Sequence, residues 1–462
     1  MSNKSHSVSE FDLRDPAFFT QEDPLFPISE NQRAAEKQAL AELATPFFED
    51  FFCDRQNTDT PVRTITIRRP RVENRHGRAR LSAQIDVDGE CREVWFEVEE
   101  KYGKYLCYER SDAFLIGLLN WAMRERCDFI CEAPVGEELI YQIRTYLIPA
   151  VVKASKTLYA PRITADIDTG TLPCAGAVGT GISCGVDSLH VVANQARSAF
   201  PHLRLTHLIL NNVGAFSKEE GKNQFSWQTE HAKQFAEEYG FEFIQTNSNF
   251  SEAFPQNHLL THTYSSCFGI YVLQKLWRVY FYASSGYDFT EFRLEKNEDF
   301  SSDHYELLSL NVFSHRNLKI YSEGGAKTRF EKTRALVNFV PAQKYLHVCT
   351  SDLGENCNIC GKCKRTLVTL DALGALEKFR AVFDIDYYKK HRRSYLRWLV
   401  AQQILPHGDL MLKEPFQILR KDISLLIRLE AFPYAAIGFA RSHLAKIPFL
   451  KAIYRKYFKR KK

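Results

Sequence analysis

No stretch of the chain approaches the roughly 20 consecutive apolar residues that a membrane span requires. The opening residues Met1-Ser2-Asn3-Lys4-Ser5-His6 also lack the apolar core of a signal peptide. Both absences lead to the expectation of a cytoplasmic protein. Nor is there a large excess of one charge: 61 Lys and Arg stand against 56 Asp and Glu, a formal net charge of +5. Seven of those bases fall in the last twelve residues, Lys451 to Lys462, which contain no acid. The basic signal is therefore local, and a broad nucleic-acid-binding face is not favoured. No internal repeat is visible. A composition of 45% hydrophobic and 25% charged residues excludes collagen-like, disordered and disulfide-scaffold classes. The twelve cysteines, four of them at metal-ligand spacing, read as reduced thiols rather than a disulfide framework.

At 462 residues the chain is long enough for more than one core. Residues 1–30 are polar and broken by Pro16, Pro24 and Pro27, which suggests an irregular arm. From Val62 the pattern alternates through Arg63 to Ile67, Arg80 to Val87 and Val94 to Val98, with a turn at Asp88-Gly89. This predicts an antiparallel meander. Helical stretches follow at Ser111 to Arg126 and Gly136 to Ser155, so an α+β accessory domain is expected over 31–171. Over 172–375 the texture becomes α/β, with strand candidates at Thr206 to Leu210, Glu242 to Thr246 and Arg278 to Ala283 between helical stretches, which reads as a parallel sheet. Residues 376–462 read as helical, broken by Pro406, Pro415, Pro433 and Pro448.

The chemistry concentrates at Ser183-Cys184-Gly185-Val186-Asp187-Ser188, which lies between an apolar, glycine-containing segment (Ala175 to Ile182) and an apolar helix beginning at Leu189. A turn between strand and helix aims successive amides and the positive helix end at one point, which suits a phosphate or pyrophosphate. Ser183 and Ser188 add hydroxyls, and Asp187 offers oxygen ligands to Mg²⁺. The Lys-Ser/Thr ending of a Walker loop is absent. The plainer alternative is a polar turn.

Ser183 to Ser188 resembles the Ser-Gly-Gly-x-Asp-Ser loop of the PP-loop (N-type) ATP pyrophosphatases, with Cys184 where that family usually has glycine. A Cβ at this position is expected to require a negative φ. The resemblance implies cleavage of ATP between its α- and β-phosphates and transfer of AMP to a substrate oxygen, with pyrophosphate left in the loop. It also implies contacts to the nucleotide from the exit of the next strand, at Asn212 or Val213, and from the small-residue segment Ala283 to Tyr287, including Gly286. An ordinary strand-to-loop exit is the alternative for Asn212 and Val213. Glu323 to Arg329 offers a glycine turn with two cations for the departing pyrophosphate, Lys327 first and Arg329 second, unless these are only solvated charges.

Cys349, Cys357, Cys360 and Cys363 form a C-x₇-C-x₂-C-x₂-C pattern. Four thiolates this close in sequence can close a tetrahedral Zn²⁺ site, with Lys362, Lys364 and Arg365 offsetting its charge. An iron–sulfur cluster or four unliganded thiols are the alternatives. This spacing after a PP-loop segment is similar to the C-terminal zinc site of the cyano-deazaguanine synthase branch, over about residues 172–375. That likeness implies adenylation of a carboxylate or carbonyl oxygen and attack by a nitrogen nucleophile. The expected partners are ATP, Mg²⁺, a small-molecule or sugar-linked substrate and a nitrogen donor. The alternatives are a sulfur transferase acting on tRNA, and a nucleotide or metabolite sensor without turnover.

Cys184 stands apart from the other scattered cysteines, because a thiol at a helix N-terminus is expected to have a lowered pKa and could carry a persulfide; simple accommodation in the turn is the alternative. His190, one turn into the helix, and His304, after Asp303, carry no catalytic assignment. The tail from Leu450 to Lys462 mixes aromatics and bases, as helices lying on the inner face of a membrane do; a solvated tail or a partner-binding helix fits it equally.

Overall fold

The structure, a computed structural model, describes residues 61–444 except 156, 215–218, 285–287, 293, 295–300, 350–353 and 406–407. The N-terminal arm, Gly286, Pro406, Pro448 and the basic tail, all singled out in the sequence, lie outside the described residues.

The fold is mixed α/β. The first sheet contains β1 (Arg63–Ile67), β2 (Arg71–Arg75), β3 (Arg78–Val87), β4 (Glu90–Glu99), β5 (Cys127–Cys131) and β7 (Ile163–Thr164); the two-residue strands β6 (Val135–Gly136) and β8 (Ile167–Asp168) pair with each other. Alternation creates its inner face: Ile65, Ile67, Leu81, Ile85, Val94, Phe96 and Val98 are all fully buried. The expected antiparallel meander is present as β1, β3 and β4, and further pairings make the sheet as a whole mixed. β1 runs antiparallel to β3 and parallel to β5, and β5 runs parallel to β7. β2, which pairs with the other half of β3, has Val72 as its lone apolar residue and so gave no periodic signal.

The second sheet has five strands, β9 (Ala177–Gly181), β10 (His207–Leu210), β11 (Glu242–Gln245), β13 (Trp277–Ala283) and β14 (Lys319–Glu323), in the order β11-β10-β9-β13-β14. Every pairing in it is parallel. From β9 the chain winds out to β10 and β11 on one side, then returns to β13 and β14 on the other. The connections after β9 and β13 therefore diverge and leave a crevice at the carboxyl ends of these two strands. Gly179 of β9 makes room for Trp277, whose ring would lie 2.5 Å from any Cβ there.

Helices α1 (Asp112–Glu125), α2 (Val186–Gln195), α3 (Glu219–Tyr239) and α4 (His258–Val272) cover the sheets. The Phe268 ring of α4 contacts Phe114 of α1 at 5.6 Å, Phe96 of β4 at 5.9 Å and Phe250 at 4.8 Å between centroids. The two-residue strand β12 (Asn247–Ser248), which follows β11, pairs antiparallel with β4 and so joins the first sheet. The two sheets thus share packed side chains and backbone pairing.

Towards the C-terminus come α5 (Glu306–Val312), α6 (Arg329–Leu336), α7 (Gly361–Ala372), α8 (Ile385–Ile404), α9 (Lys413–Leu419) and α10 (Leu425–Leu444). Pro415 and Pro433 do not break this region as expected. Pro415 occupies the first turn of α9, where its missing N–H would lack a partner in any case, and Pro433 lies within α10. Among the described residues no helix is long and apolar enough to cross a membrane.

Candidate functional site

Residues 182–185 leave β9 and turn into α2 at the crevice, with Gly185 as the cap residue. The loop's own hydrogen bonds are long. The Ser183 amide reaches Ser188 Oγ at 3.3 Å, the two serine hydroxyls are 3.3 Å apart, and the Gly185 amide reaches Ser183 Oγ at 3.4 Å. Contacts of that length are weak, so an anionic oxygen can replace them at little loss. From behind, Gln228 of α3 donates to the Ser183 carbonyl at 2.8 Å, and the His347 amide donates to the Cys184 carbonyl at 2.8 Å.

Cys184 departs from both expectations placed on it. Its φ is +53°, in the left-handed region, so the chain adopts the glycine-like turn despite the Cβ. Its side chain is fully buried in the core shared by α2, β13 and the cysteine-bearing segment. Burial pushes the thiol pKa up rather than down, because desolvation of a thiolate outweighs the pull of the helix end.

Asp187, on the first turn of α2, lies between two cations: Arg329 Nη1 is 2.9 Å from one carboxylate oxygen and Lys332 Nζ 3.3 Å from the other. Lys332 is buried and also donates to the Ser284 carbonyl at 2.6 Å, just past the end of β13. Two cations against one acid leave a net positive charge where the helix N-terminus already favours anions. Both cations belong to α6, which starts with a capping box: Thr328 Oγ1 accepts from the Glu331 amide at 3.2 Å, and Glu331 accepts from the Thr328 amide at 3.0 Å. That Thr-x-x-Glu pattern is the signal in the sequence that could have located Lys332, which was overlooked.

Lys327 points elsewhere. Its Nζ lies 3.2 Å from His190 Nε2, and Asn194 also reaches that nitrogen at 3.2 Å. Burial first, and then Lys327 and Lys332, push the His190 pKa down to about 4, so the ring is neutral at physiological pH. Gly324, at φ +81°, leaves the space for this ring, because a Cβ there would lie 3.0 Å from His190 Nδ1.

The crevice opens into a cleft of about 320 Å³. Ser183, Asp187 and Ser188 line one side, and His258, His262, Tyr282 and Ala283 contribute to the rest. Val213 also lines the cleft, whereas the Asn212 side-chain amide donates to Asn247 at 2.8 Å. The structure therefore brings Ser183, Gly185, Asp187, Ser188, Arg329 and the overlooked Lys332 together around one loop, and leaves Lys327 and Asn212 facing other partners.

The four cysteines predicted to bind metal converge. Their sulfur atoms all lie within 4.8 Å of one another, with Cys349 and Cys360 3.9 Å apart and Cys357 and Cys363 4.0 Å apart. A tetrahedron of thiolates at Zn–S ≈ 2.3 Å has edges of about 3.8 Å, so the donor set matches Zn²⁺ in size as well as chemistry. Backbone amides point at the sulfurs: Cys360 N–H at Cys357 Sγ (3.3 Å) and Cys363 N–H at Cys360 Sγ (3.4 Å). Cys360 is also the N-cap of α7, and Asn358 takes φ +60° to wrap the chain round the cluster. Without a cation, the hydrogen bond from Cys360 and burial push the Cys363 thiol pKa up. A dication reverses that preference by stabilising the thiolates. Arg365 is paired with Asp409 at 2.6 Å and so braces α7 against the next segment.

Fold and site together define an α/β protein with a small-residue loop at the switch point of a parallel sheet and a four-cysteine cluster behind it. No protein-family model matches the chain, and no curated protein or solved structure is significantly similar to it.

Proposed function

We propose that the chain is an ATP-dependent adenylating enzyme of the PP-loop type, which activates a carboxylate or carbonyl oxygen for attack by a nitrogen nucleophile. The observation that carries this reading is the arrangement at the start of α2. Weakly engaged loop amides, Asp187, Arg329 and Lys332 converge at the carboxyl end of β9, beside a cleft able to take a nucleotide.

In this reading ATP lays its β- and γ-phosphates against the loop amides and the hydroxyls of Ser183 and Ser188. A carboxylate oxygen attacks the α-phosphorus, the bond to the β-phosphate breaks, and pyrophosphate leaves with the electron pair. Arg329 and Lys332 sit where that negative charge accumulates, and being already in place they need little reorganisation. Asp187 is the residue that would hold Mg²⁺, which supplies charge neutralisation on the phosphates. Because a cation already faces each of its oxygens, Mg²⁺ binding and transfer of Arg329 or Lys332 to phosphate are expected together.

The cysteine cluster is assigned to structural Zn²⁺, which supplies rigidity. Cys349, Cys357, Cys360 and Cys363 would hold it, and the chain just before Cys349 supports the phosphate loop through His347. Transfer of sulfur from Cys184 is disfavoured by its burial.

The test is incubation with ATP, Mg²⁺ and a panel of carboxylic acids in ammonium chloride, with exchange of labelled pyrophosphate into ATP followed alongside AMP. Exchange and AMP release are expected. ADP and phosphate as products, or tight ATP binding without exchange, would overturn the reading.

A further inference from the structure

Across the cleft from the phosphate loop lies a chain of three side chains drawn from three separate elements. Tyr282, near the end of β13, has its hydroxyl 2.8 Å from His262 Nδ1, and the other ring nitrogen of His262 lies against a carboxylate oxygen of Asp303. Tyr282 and His262 line the same cleft as Ser183, Asp187 and Ser188. A carboxylate oxygen beside Nε2 favours the tautomer with its proton there, which leaves Nδ1 to accept from the tyrosine hydroxyl. This is the order of a base oriented by a third group, with a hydroxyl at its head.

We infer that Tyr282, His262 and Asp303 form the proton relay that serves the attacking nitrogen, with Tyr282 the group that touches the nucleophile and His262 and Asp303 positioning residues behind it. The inference rests on the adenylation reading and adds the second half of the reaction. Ammonia or a primary amine attacks the acyl carbon of the adenylate, the C–N bond forms, and the C–O bond to AMP breaks with its electron pair leaving on AMP. The new ammonium loses one proton to Tyr282 Oη as the tyrosine's own proton passes to His262 Nδ1. The resulting imidazolium is held by Asp303 until solvent removes the proton.

The surroundings favour a relay over a free phenolate. Burial holds the Tyr282 hydroxyl protonated well above the usual tyrosine range, so it gives up a proton only as another arrives. Among the described residues, His258 on its own helix and Glu306 on α5 also lie near His262. The Glu306 carboxyl is pushed up by burial and is bonded by Ser322, and His258 is driven down to about 4 by burial and by His262, so His258 is uncharged at neutral pH.

The experiment compares wild type with Tyr282→Phe and His262→Asn, in ammonium chloride and in hydroxylamine, over the same carboxylic acid panel. Hydroxylamine is a reactive nucleophile whose adduct loses its proton readily to water. The variants are expected to lose about 100-fold in ammonia-dependent AMP formation, at least tenfold more than in pyrophosphate exchange, and to recover in hydroxylamine. Their ammonia-dependent rate should also lose the pH profile of the wild type. Equal losses with both nucleophiles would overturn the relay while leaving the adenylation reading intact. Failure of wild type to exchange pyrophosphate would instead overturn the adenylation reading. An arm that needs no substrate is nitrogen-15 NMR of labelled histidine: a proton on His262 Nε2, with Nδ1 shifted in Tyr282→Phe, is expected, and a tautomer with its proton on Nδ1 would overturn the relay.

Discussion

Cys184 holds a left-handed backbone that costs a residue with a side chain roughly 1–2 kcal/mol. Its buried sulfur offsets part of that by filling the space between α2 and the cysteine-bearing segment. The sequence displayed the substitution but gave no view of its burial, and burial decides the chemistry. On the folded protein at neutral pH, iodoacetamide is expected to modify the exposed Cys91 and Cys174 and to leave Cys184 unmodified, as read by peptide mass spectrometry; rapid labelling of Cys184 would contradict its placement. Lys332 is the opposite case. The glycines at 324 and 325 drew attention to the turn that bears Lys327, but the helix after that turn carries the cation that touches Asp187. Lys332→Met is therefore expected to lower pyrophosphate release about 100-fold or more, and Lys327→Met less than about tenfold, with thermal unfolding of each variant measured to separate activity from stability.

At the scale of elements, legibility followed how local the cause was. The strand-loop-helix around Ser183 could be read because glycine, hydroxyl and apolar residues succeed one another within a few positions. The cysteine cluster could be read because all four ligands fall within fifteen residues of one another. β2 could not, since its five residues are mostly exposed and charged, and its pairing depends on β3. The support between the two motifs was equally invisible: the His347 amide, two residues before Cys349, reaches back to the Cys184 carbonyl. Metal analysis of the purified protein is expected to give one zinc per chain. Its removal by a strong chelator is expected to lower the unfolding temperature and also to weaken ATP binding by calorimetry. Unchanged ATP affinity after complete zinc loss would show that the cluster does not support the loop.

Across the whole molecule, alternation of apolar residues marked out strands and helices, but the order β11-β10-β9-β13-β14 depends on contacts between residues up to about 100 positions apart. The relay is illegible for the same reason, since Asp303 lies 41 residues beyond His262. Burial of histidines is another property that only the folded chain reveals. His190, His258, His315 and His347 are all driven down to about 4, chiefly by burial. The folded state therefore binds fewer protons than the unfolded state, in which histidine titrates near 6.5. The stability these groups contribute is fully present above about 6.5 and is lost as pH falls towards 4, by up to about 3 kcal/mol for each ring. Unfolding midpoints measured in urea should fall steeply across that window. His315→Asn, remote from the cysteines, should flatten the slope; an unchanged slope would mean that this ring is not buried in its neutral form.

The short rung between Asn247-Ser248 and Glu97-Phe96, reinforced where Asn249 accepts from the Trp95 amide at 2.8 Å, stitches a late piece of the chain onto an early sheet. The stretch from Thr169 to Ala175 that joins the two regions along the backbone is mostly exposed. A protease cut there would sever the polypeptide without separating its halves, since strand pairing and the Phe268 contacts run across the break. Two gene fragments divided at this point would then be expected to reassemble when expressed together, whereas residues 172–375 produced alone would present an unpaired β12 and an uncovered aromatic face to solvent.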